Sequence, residues 1–369
     1  MPDNSSRRQW LRNTATVLTG MSLVPGLFAT EKEKYRAAGI ILLNGNENAY
    51  GPSAGARKAM SEVLGSSNRY PDDQTSLLKQ QIAEFWNISK ENILLGAGSS
   101  EFLGLVPLSV SSTKANIVTA EPSYRVWNRQ AESFGLSIKR IPLSAGDKTL
   151  SLGEMMSAMD NETRLMYLCN PNNPVGTYVE DHLLRDFVRE CSKKCMVLVD
   201  EAYTEFPDIP SLKDLAVNNP NIVVAKTFSK IYGLAGARIG YIIGHPDTIK
   251  KIAVLQPWPD ANASATSVAA ASAALKDQAF VKDCRTKIAQ AREMCNKTFN
   301  ELSLEYIPSH TNFILFSIGK IGADFSKKMQ AKNIYVQYRD HFGGKWCRVS
   351  MGTIEEMQSF CSALKSVVG

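Results

Sequence analysis

Between about residues 90 and 245, short β-branched runs alternate with amphipathic stretches, and this alternation limits the fold more than any other feature. The runs are Asn92-Ile-Leu-Leu, Ala115-Asn-Ile-Val-Thr, Leu165-Met-Tyr-Leu-Cys, Met196-Val-Leu-Val, Asn221-Ile-Val-Val-Ala and Ile239-Gly-Tyr-Ile-Ile. Between the third and fourth, Leu183, Leu184, Phe187, Val188 and Cys191 share one helical face, and Thr177 and Glu180 have the spacing of a capping box. Strand, helix, strand with nearly continuous apolar strands predicts an α/β fold, its mostly parallel sheet covered by helices on both faces.

The later part reads differently. An Ala-rich helix is expected over 262–302 with a break near Asp277, followed by strands at Asn312-Phe-Ile-Leu-Phe, Ile334-Tyr-Val-Gln-Tyr and Trp346-Cys-Arg-Val-Ser, and a closing helix from about Glu355. This describes a smaller α+β domain, with the loop-rich segment 36–60 packed against it. The expected division is a leader over 1–29, an N-terminal arm over 30–60, a large domain over 61–260 and a small domain over 261–369.

Composition narrows the function. A net charge of +6 without a dense basic stripe argues against nucleic acid as a partner. The seven cysteines are scattered through apolar patterns, as buried thiols rather than a disulfide framework, and the four histidines form no metal-ligand spacing. No stretch approaches the ~18 apolar residues of a membrane span.

In open parallel sheets, ligands bind beyond the carboxyl ends of the strands. After the first run comes Gly96-Ala-Gly-Ser-Ser-Glu101, a turn whose amides and the hydroxyls of Ser99 and Ser100 suit a phosphate. After the second comes Glu121-Pro-Ser-Tyr124, and after the third Asn170-Pro-Asn-Asn-Pro-Val-Gly176. The fourth ends in Asp200-Glu-Ala-Tyr203 and the fifth in Lys226-Thr-Phe-Ser-Lys230. A lysine able to form an imine, a carboxylate for a ring nitrogen and a phosphate cradle together describe pyridoxal phosphate.

Thr227-Phe-Ser-Lys-Ile-Tyr-Gly-Leu-Ala-Gly-Ala-Arg-Ile-Gly-Tyr241 resembles the lysine signature of the class I/II aminotransferases. Leu43-Asn-Gly-Asn-Glu-Asn48, Gly51-Pro52 and Arg69-Tyr-Pro-Asp72 resemble the histidinol-phosphate aminotransferase branch, in agreement with Cys169–Gly176 and Val199–Tyr203. The resemblance spans about residues 40–369. It implies a fold type I transferase dependent on pyridoxal 5'-phosphate, working as a homodimer on an amino acid or related amine and a 2-oxo acid. By the same resemblance Lys230 holds the cofactor and shuttles the proton, while Asp200 pairs with the ring nitrogen. Asn173 and Tyr203 hold the ring hydroxyl, and Tyr124 stacks on the ring. Ser99, Ser100, Thr227, Ser229 and Arg238 bind the cofactor phosphate, which Tyr70 reaches from the neighbouring subunit. Arg348 grips the substrate's acidic group, and Asn312 and Asn46 belong to the substrate side, a structural role for Asn312 being the alternative.

Two positions depart from that branch. Gln337 stands where a second arginine usually meets the substrate phosphate, a loss of about 1.5–3 kcal/mol per charge-assisted hydrogen bond. Arg339, two residues on, shares the strand face. Asn48-Ala-Tyr-Gly51 replaces the more usual Asn-Pro-Tyr-Gly. The cofactor residues leave other outcomes of the same chemistry open, namely decarboxylation, racemisation, cyclisation or oxidation. A non-catalytic cofactor- or amine-binding protein on this scaffold is the reading from another class.

At the N-terminus, Ser6-Arg7-Arg8-Gln9-Trp10-Leu11-Arg12, a weakly apolar run and a small residue at Ala29 resemble a twin-arginine export signal. That route carries folded proteins, so a protein loaded with cofactor inside the cell would reach the periplasm intact. A cytoplasmic protein with a basic N-terminal tail is the alternative.

Overall fold

The apolar runs of the central segment assemble into one seven-stranded sheet in the computed structural model, which describes residues 39–111, 114–260, 263–322 and 324–368. Following a short first strand, β1 (Ile41–Leu42), the chain supplies β2 (Ile93–Gly96), β3 (Asn116–Glu121), β4 (Ser137–Pro142), β5 (Thr163–Cys169), β6 (Met196–Asp200), β7 (Ile222–Thr227) and β8 (Gly240–Gly244). The sheet order is β2-β8-β7-β6-β5-β3-β4. From β7 to β4 every pairing is parallel, while β8 runs against both its neighbours. Alternate residues of each strand enter separate cores. Leu168, Val197, Val199 and Val224 pack on one face, and Leu165, Tyr167, Leu198 and Val223 on the other. A sheet buried on both faces explains the unbroken apolar runs, each fully buried aliphatic side chain contributing about 1.5–3 kcal/mol.

The edge strand β4 has no counterpart among the expected strands. Its Ser-Ile-Lys-Arg-Ile-Pro sequence is partly exposed, and with neighbours on one side only it carries charge instead of an apolar run. The helix after β5 spans Asp181–Ser192 and buries Leu184, Phe187, Val188 and Cys191. The expected capping box is absent. Glu180 is the N-cap with no side-chain cap bond, and Thr177 Oγ1 instead donates to the Lys148 carbonyl at 2.7 Å.

The second unit is built on β9 (Tyr306–Ile307), β10 (Phe313–Ser317), β11 (Ile334–Tyr335), β12 (Gln337–His341) and β13 (Gly344–Ser350). The antiparallel order β12-β13-β10-β9 makes one sheet, and β11 leaves it to pair in parallel with β1. The single strand expected over 334–338 is therefore two, divided at Val336. The N-terminal arm joins this unit through that pair and through the Ser350 amide, which donates to the Leu43 carbonyl at 2.9 Å. The Ala-rich stretch is two helices, Ala265–Lys276 and Gln278–Glu301, and Asp277 caps the second by accepting from the Phe280 amide at 3.1 Å. The first packs on the helices Ala54–Val63 and Asp72–Trp86, the second on the closing helix Ile354–Val368. All seven cysteines are free and buried. The leader expected over 1–29 lies outside the described residues.

Candidate active site

Every strand whose following turn drew attention runs in the same direction, so β2, β3, β5, β6 and β7 end at one rim. The reversed strand β8 begins there, which brings Arg238, two residues before it, to the same place. Ser99, Ser100, Tyr124, Asn173, Asp200, Tyr203, Thr227, Ser229, Lys230 and Arg238 line one cleft, together with Ala202 and Ala235.

Asp200, the last residue of β6, is 3% exposed. Tyr167 donates its hydroxyl to Oδ2 at 3.1 Å and the Ala202 amide donates to Oδ1 at 3.2 Å. Burial nevertheless dominates and pushes the carboxyl up to about 6. Lys230 Nζ donates to the Asn46 carbonyl at 3.3 Å and lies 5.6 Å from the centre of the Tyr203 ring. Desolvation first, and then the Arg348 charge, bring its amine down to about 8. Among the described residues neither group has an ion-pair partner.

Opposite them, the Ser99–Ser109 helix begins at Gly98, whose φ of +86° is the left-handed backbone that glycine permits. A Cβ there would lie 2.6 Å from Arg238 Nη2. Arg238 donates to Ser100 Oγ at 2.8 Å and to the Ala235 carbonyl at 3.0 Å. Thr227 and Ser229 join their hydroxyls at 2.9 Å across the turn after β7. A guanidinium with no carboxylate partner among the described residues, three serine hydroxyls and a helix N-terminus converge on a space suited to a dianion.

The far wall is a connected polar network. Arg348 on β13 is 8% exposed, donates to Asn173 Oδ1 at 2.6 Å and to the Asn44 carbonyl at 3.4 Å, and has a buried Nε with no partner. Its charge faces no carboxylate among the described residues, and desolvation lowers its guanidinium to about 10. Asn173 and Asn46 both donate to the Tyr203 hydroxyl at 3.2 Å, and Ser350 Oγ donates to Asn46 Oδ1 at 3.0 Å. Asn312, grouped above with the substrate residues, stands one layer behind. Fully buried, it donates to the carbonyls of Asn46 and Glu47 at 3.1 and 3.3 Å, so it positions the arm rather than lining the cleft. Tyr70 is not in the cleft of its own chain. It is 74% exposed and packs against Trp258 in a tilted pair with ring centroids 5.5 Å apart.

These groups fit pyridoxal phosphate by their chemistry. Asp200 is a buried carboxylate lacking a cation, which a protonated ring nitrogen would supply. The Arg238 cradle is a cation lacking an anion, and Lys230 is an amine held near neutrality. Tyr167 was overlooked in the sequence, although a phenol inside an apolar strand two residues before the end of β5 was its visible signal.

The chain matches the family model for aminotransferase class I and II over residues 38–364. It is 33% identical to histidinol-phosphate aminotransferase 1 of Bacillus cereus over 364 residues, 97% of each chain. With histidinol-phosphate aminotransferase of Brevibacillus brevis it shares 33% over 342 residues, 91% of this chain and 93% of the relative. The crystal structure of histidinol-phosphate aminotransferase from Sinorhizobium meliloti in complex with pyridoxal-5'-phosphate superimposes with a TM-score of 0.83 at 28% identity, covering 94% of this chain and 97% of that one. Strand order, a lysine beside a buried aspartate and a match along nearly the whole length lead to one conclusion: the chain belongs to the class I and II aminotransferases, enzymes of fold type I that depend on pyridoxal phosphate.

Proposed function

We propose that this aminotransferase exchanges an amino group between an amino acid, or a related primary amine, and a 2-oxo acid in two ping-pong half-reactions. The observation that carries the reading is the cleft itself, where Lys230, Asp200 and the Ser100–Arg238 pair stand together with Arg348 on the facing wall. When bound, pyridoxal phosphate supplies an electron sink for the charge that develops at the donor's α-carbon. Asp200 holds positive charge at the ring nitrogen, and Tyr167 keeps that carboxylate oriented. Ser99, Ser100, Ser229 and Arg238 would anchor the phosphate, and Asn173 and Tyr203 would hold the ring hydroxyl. Arg348 orients the donor by its carboxylate. The Lys230 amine, lowered to about 8 so that part of it is neutral at physiological pH, would take the proton from the donor's α-carbon and hold it for return.

The test is a half-reaction without acceptor. Each candidate donor is added alone to the cofactor-loaded chain from about Thr30. Release of one equivalent of 2-oxo acid per Lys230, resuming only when a 2-oxo acid is added, is expected. Continuous formation of carbon dioxide, peroxide or inverted amino acid would overturn transamination and keep the cofactor site.

The same reading extends to assembly and place. The enzyme works as a homodimer, and residues 1–29 direct it, folded and loaded, across the membrane by the twin-arginine route. Cell fractionation tests the second point. The Arg7→Lys, Arg8→Lys double variant is expected to accumulate inside, whereas wild-type protein found wholly in the cytoplasm with an intact N-terminus would overturn export.

A further inference from the structure

The small domain brings together two free thiols that the cleft does not use. Cys295 lies on the long helix Gln278–Glu301 and Cys361 on the closing helix Ile354–Val368, which pack on each other. Along the long helix, Cys284, Ile288, Ala291, Cys295 and Thr298 are buried at steps of four and three residues, the stripe that faces a neighbouring helix. Met357, Phe360, Cys361 and Leu364 form the answering stripe. Three contacts fix where the stripes meet. Cys361 Sγ donates to the Met294 carbonyl at 4.0 Å, the Thr298 hydroxyl bonds to the same sulfur, and Lys365 and Glu301 close an ion pair of 2.6 Å about one turn further on. Met294 and Thr298 stand on either side of Cys295 in the chain, so Cys361 is held against it, and the two thiols are hydrogen-bonded to each other.

The two sulfurs are not equivalent. Cys295 is fully buried, whereas Cys361 is 7% exposed, at the edge where the Lys365–Glu301 pair reaches solvent. The bond from Cys295 first, and with it the Thr298 hydroxyl and the Lys365 charge, outweigh burial and bring the Cys361 thiol down to about 7. The other six thiols are all raised, five of them chiefly by burial. The thiolate is the nucleophile in disulfide exchange, so Cys361 is the reactive cysteine of this chain and Cys295 is placed to resolve it.

We propose that Cys295 and Cys361 form a reversible disulfide that fastens the closing helix to the long helix of the small domain. The step is exchange with a disulfide oxidant. The Cys361 thiolate attacks one sulfur of the oxidant, a mixed disulfide forms, and the oxidant's other sulfur leaves as a thiolate. Cys295 then loses its proton, and its sulfur displaces the remaining oxidant sulfur from Cys361. Two protein thiols become one disulfide, two protons are released, and two electrons pass to the oxidant as it is reduced to a pair of thiols. The bond to Cys361 that most raises Cys295 is lost once Cys361 is in the mixed disulfide, which eases the second step. The closing helix follows directly on β13, the strand that carries Arg348, so the bond also anchors that wall of the cleft.

The cofactor-loaded full chain is incubated at room temperature with oxidised glutathione, and a second sample is afterwards reduced with dithiothreitol. After acid quenching, the chain is unfolded and alkylated, and its thiols are counted by mass. The count is expected to fall from seven to five, with one bridged peptide joining Cys295 and Cys361, and to return to seven on reduction. The unfolding midpoint of the oxidised form is expected to rise by about 3–6 °C. Cys361→Ser should keep all its remaining thiols, and Cys295→Ala should stop at a glutathione adduct on Cys361, both without a rise in midpoint. Seven thiols persisting in wild type, a bridge through any other cysteine, an adduct on Cys361 that Cys295 never displaces, or an oxidised form no more stable than the reduced one would each overturn the proposal. If Cys295→Ala does not fold, the thiol count, the bridged peptide and the midpoint of wild type against Cys361→Ser decide it.

Discussion

At the scale of single residues, the two groups that burial perturbs most usefully are Asp200 and Lys230, and they lead to opposite expectations. The Lys230 ammonium is lowered to about 8, so in the apo-protein its neutral, nucleophilic fraction grows tenfold per pH unit below 8 and levels off above it. The initial rate at which apo-protein captures pyridoxal phosphate should follow that curve, and a rate flat between pH 6.5 and 8.5 would contradict it. Lys230→Ala should lose at least about 100-fold in turnover and escape borohydride labelling of the cofactor at that position. Asp200 is raised from 3.8 to about 6, so the folded apo-protein binds its proton more tightly than the unfolded chain does. The stability withheld above pH 6 therefore returns as pH falls towards 4. Apo Asp200→Asn should be more stable than apo wild type at pH 7.5 by on the order of 2 kcal/mol, with the gap closing near pH 4. The same variant should lose about 100–1000-fold in turnover, which is the cost of removing a preorganised charge from the cofactor site. Denaturant melts at the two pH values check the first expectation and steady-state rates the second.

At the scale of elements, the site depends on how closely β8 approaches the Ser99–Ser109 helix. A Cβ on Gly240 would lie 2.4 Å from the Ser99 amide nitrogen, a backbone atom that cannot yield without moving the phosphate cradle. Gly240→Ala should therefore cost about 1–3 kcal/mol of stability and weaken pyridoxal phosphate more than phosphate-free pyridoxal. Equal weakening of both, measured by titration of the apo-protein, would place the damage elsewhere. Much of this element-level logic was legible beforehand because the central strands are buried on both faces and read as apolar runs, and because their following turns hold nearly all the polar chemistry. What escaped has physical causes. The strand β4 is a charged, half-exposed edge and lacks an apolar run. The reversal of β8 leaves no mark in a strand buried as completely as its parallel neighbours, yet it is what delivers Arg238 to the rim. The split at Val336 depends on β1, a segment nearly 300 positions away in the chain. Thr177 has capping-box spacing, but the chain between it and the helix is extended, so its hydroxyl found Lys148 instead. Asn312, open by sequence between the substrate side and a structural role, donates to the Asn46 and Glu47 carbonyls, and spacing along a chain does not distinguish the first layer of a cleft from the second.

At the scale of the whole molecule, Tyr70 offers a test of how many chains make a working site. Nothing in its own chain's cleft touches it. It stands exposed with Trp258, itself 57% exposed, as an aromatic pair open to solvent in the single chain. Large aromatics displayed together are uncommon on a monomer's surface and are favoured at interfaces. In a two-fold dimer the same patch meets its own copy, so a Tyr70 that leaves its own cleft can complete the partner's. The expected consequence is complementation between two defective proteins. Lys230→Ala lacks the base in its own cleft, and, on the proposed dimer, Tyr70→Ala is expected to weaken cofactor binding in the cleft across the interface. When the two are unfolded together, refolded and assayed at limiting pyridoxal phosphate, half of the dimers are mixed, and each mixed dimer has one cleft carrying both lesions and one carrying neither. About a quarter of all clefts are then intact, and activity should return to about that fraction of wild type. Mixing without refolding should restore nothing while subunits stay associated. If the refolded mixture shows only the sum of its two parents, Tyr70 serves its own chain or none, and the cleft is complete within one subunit.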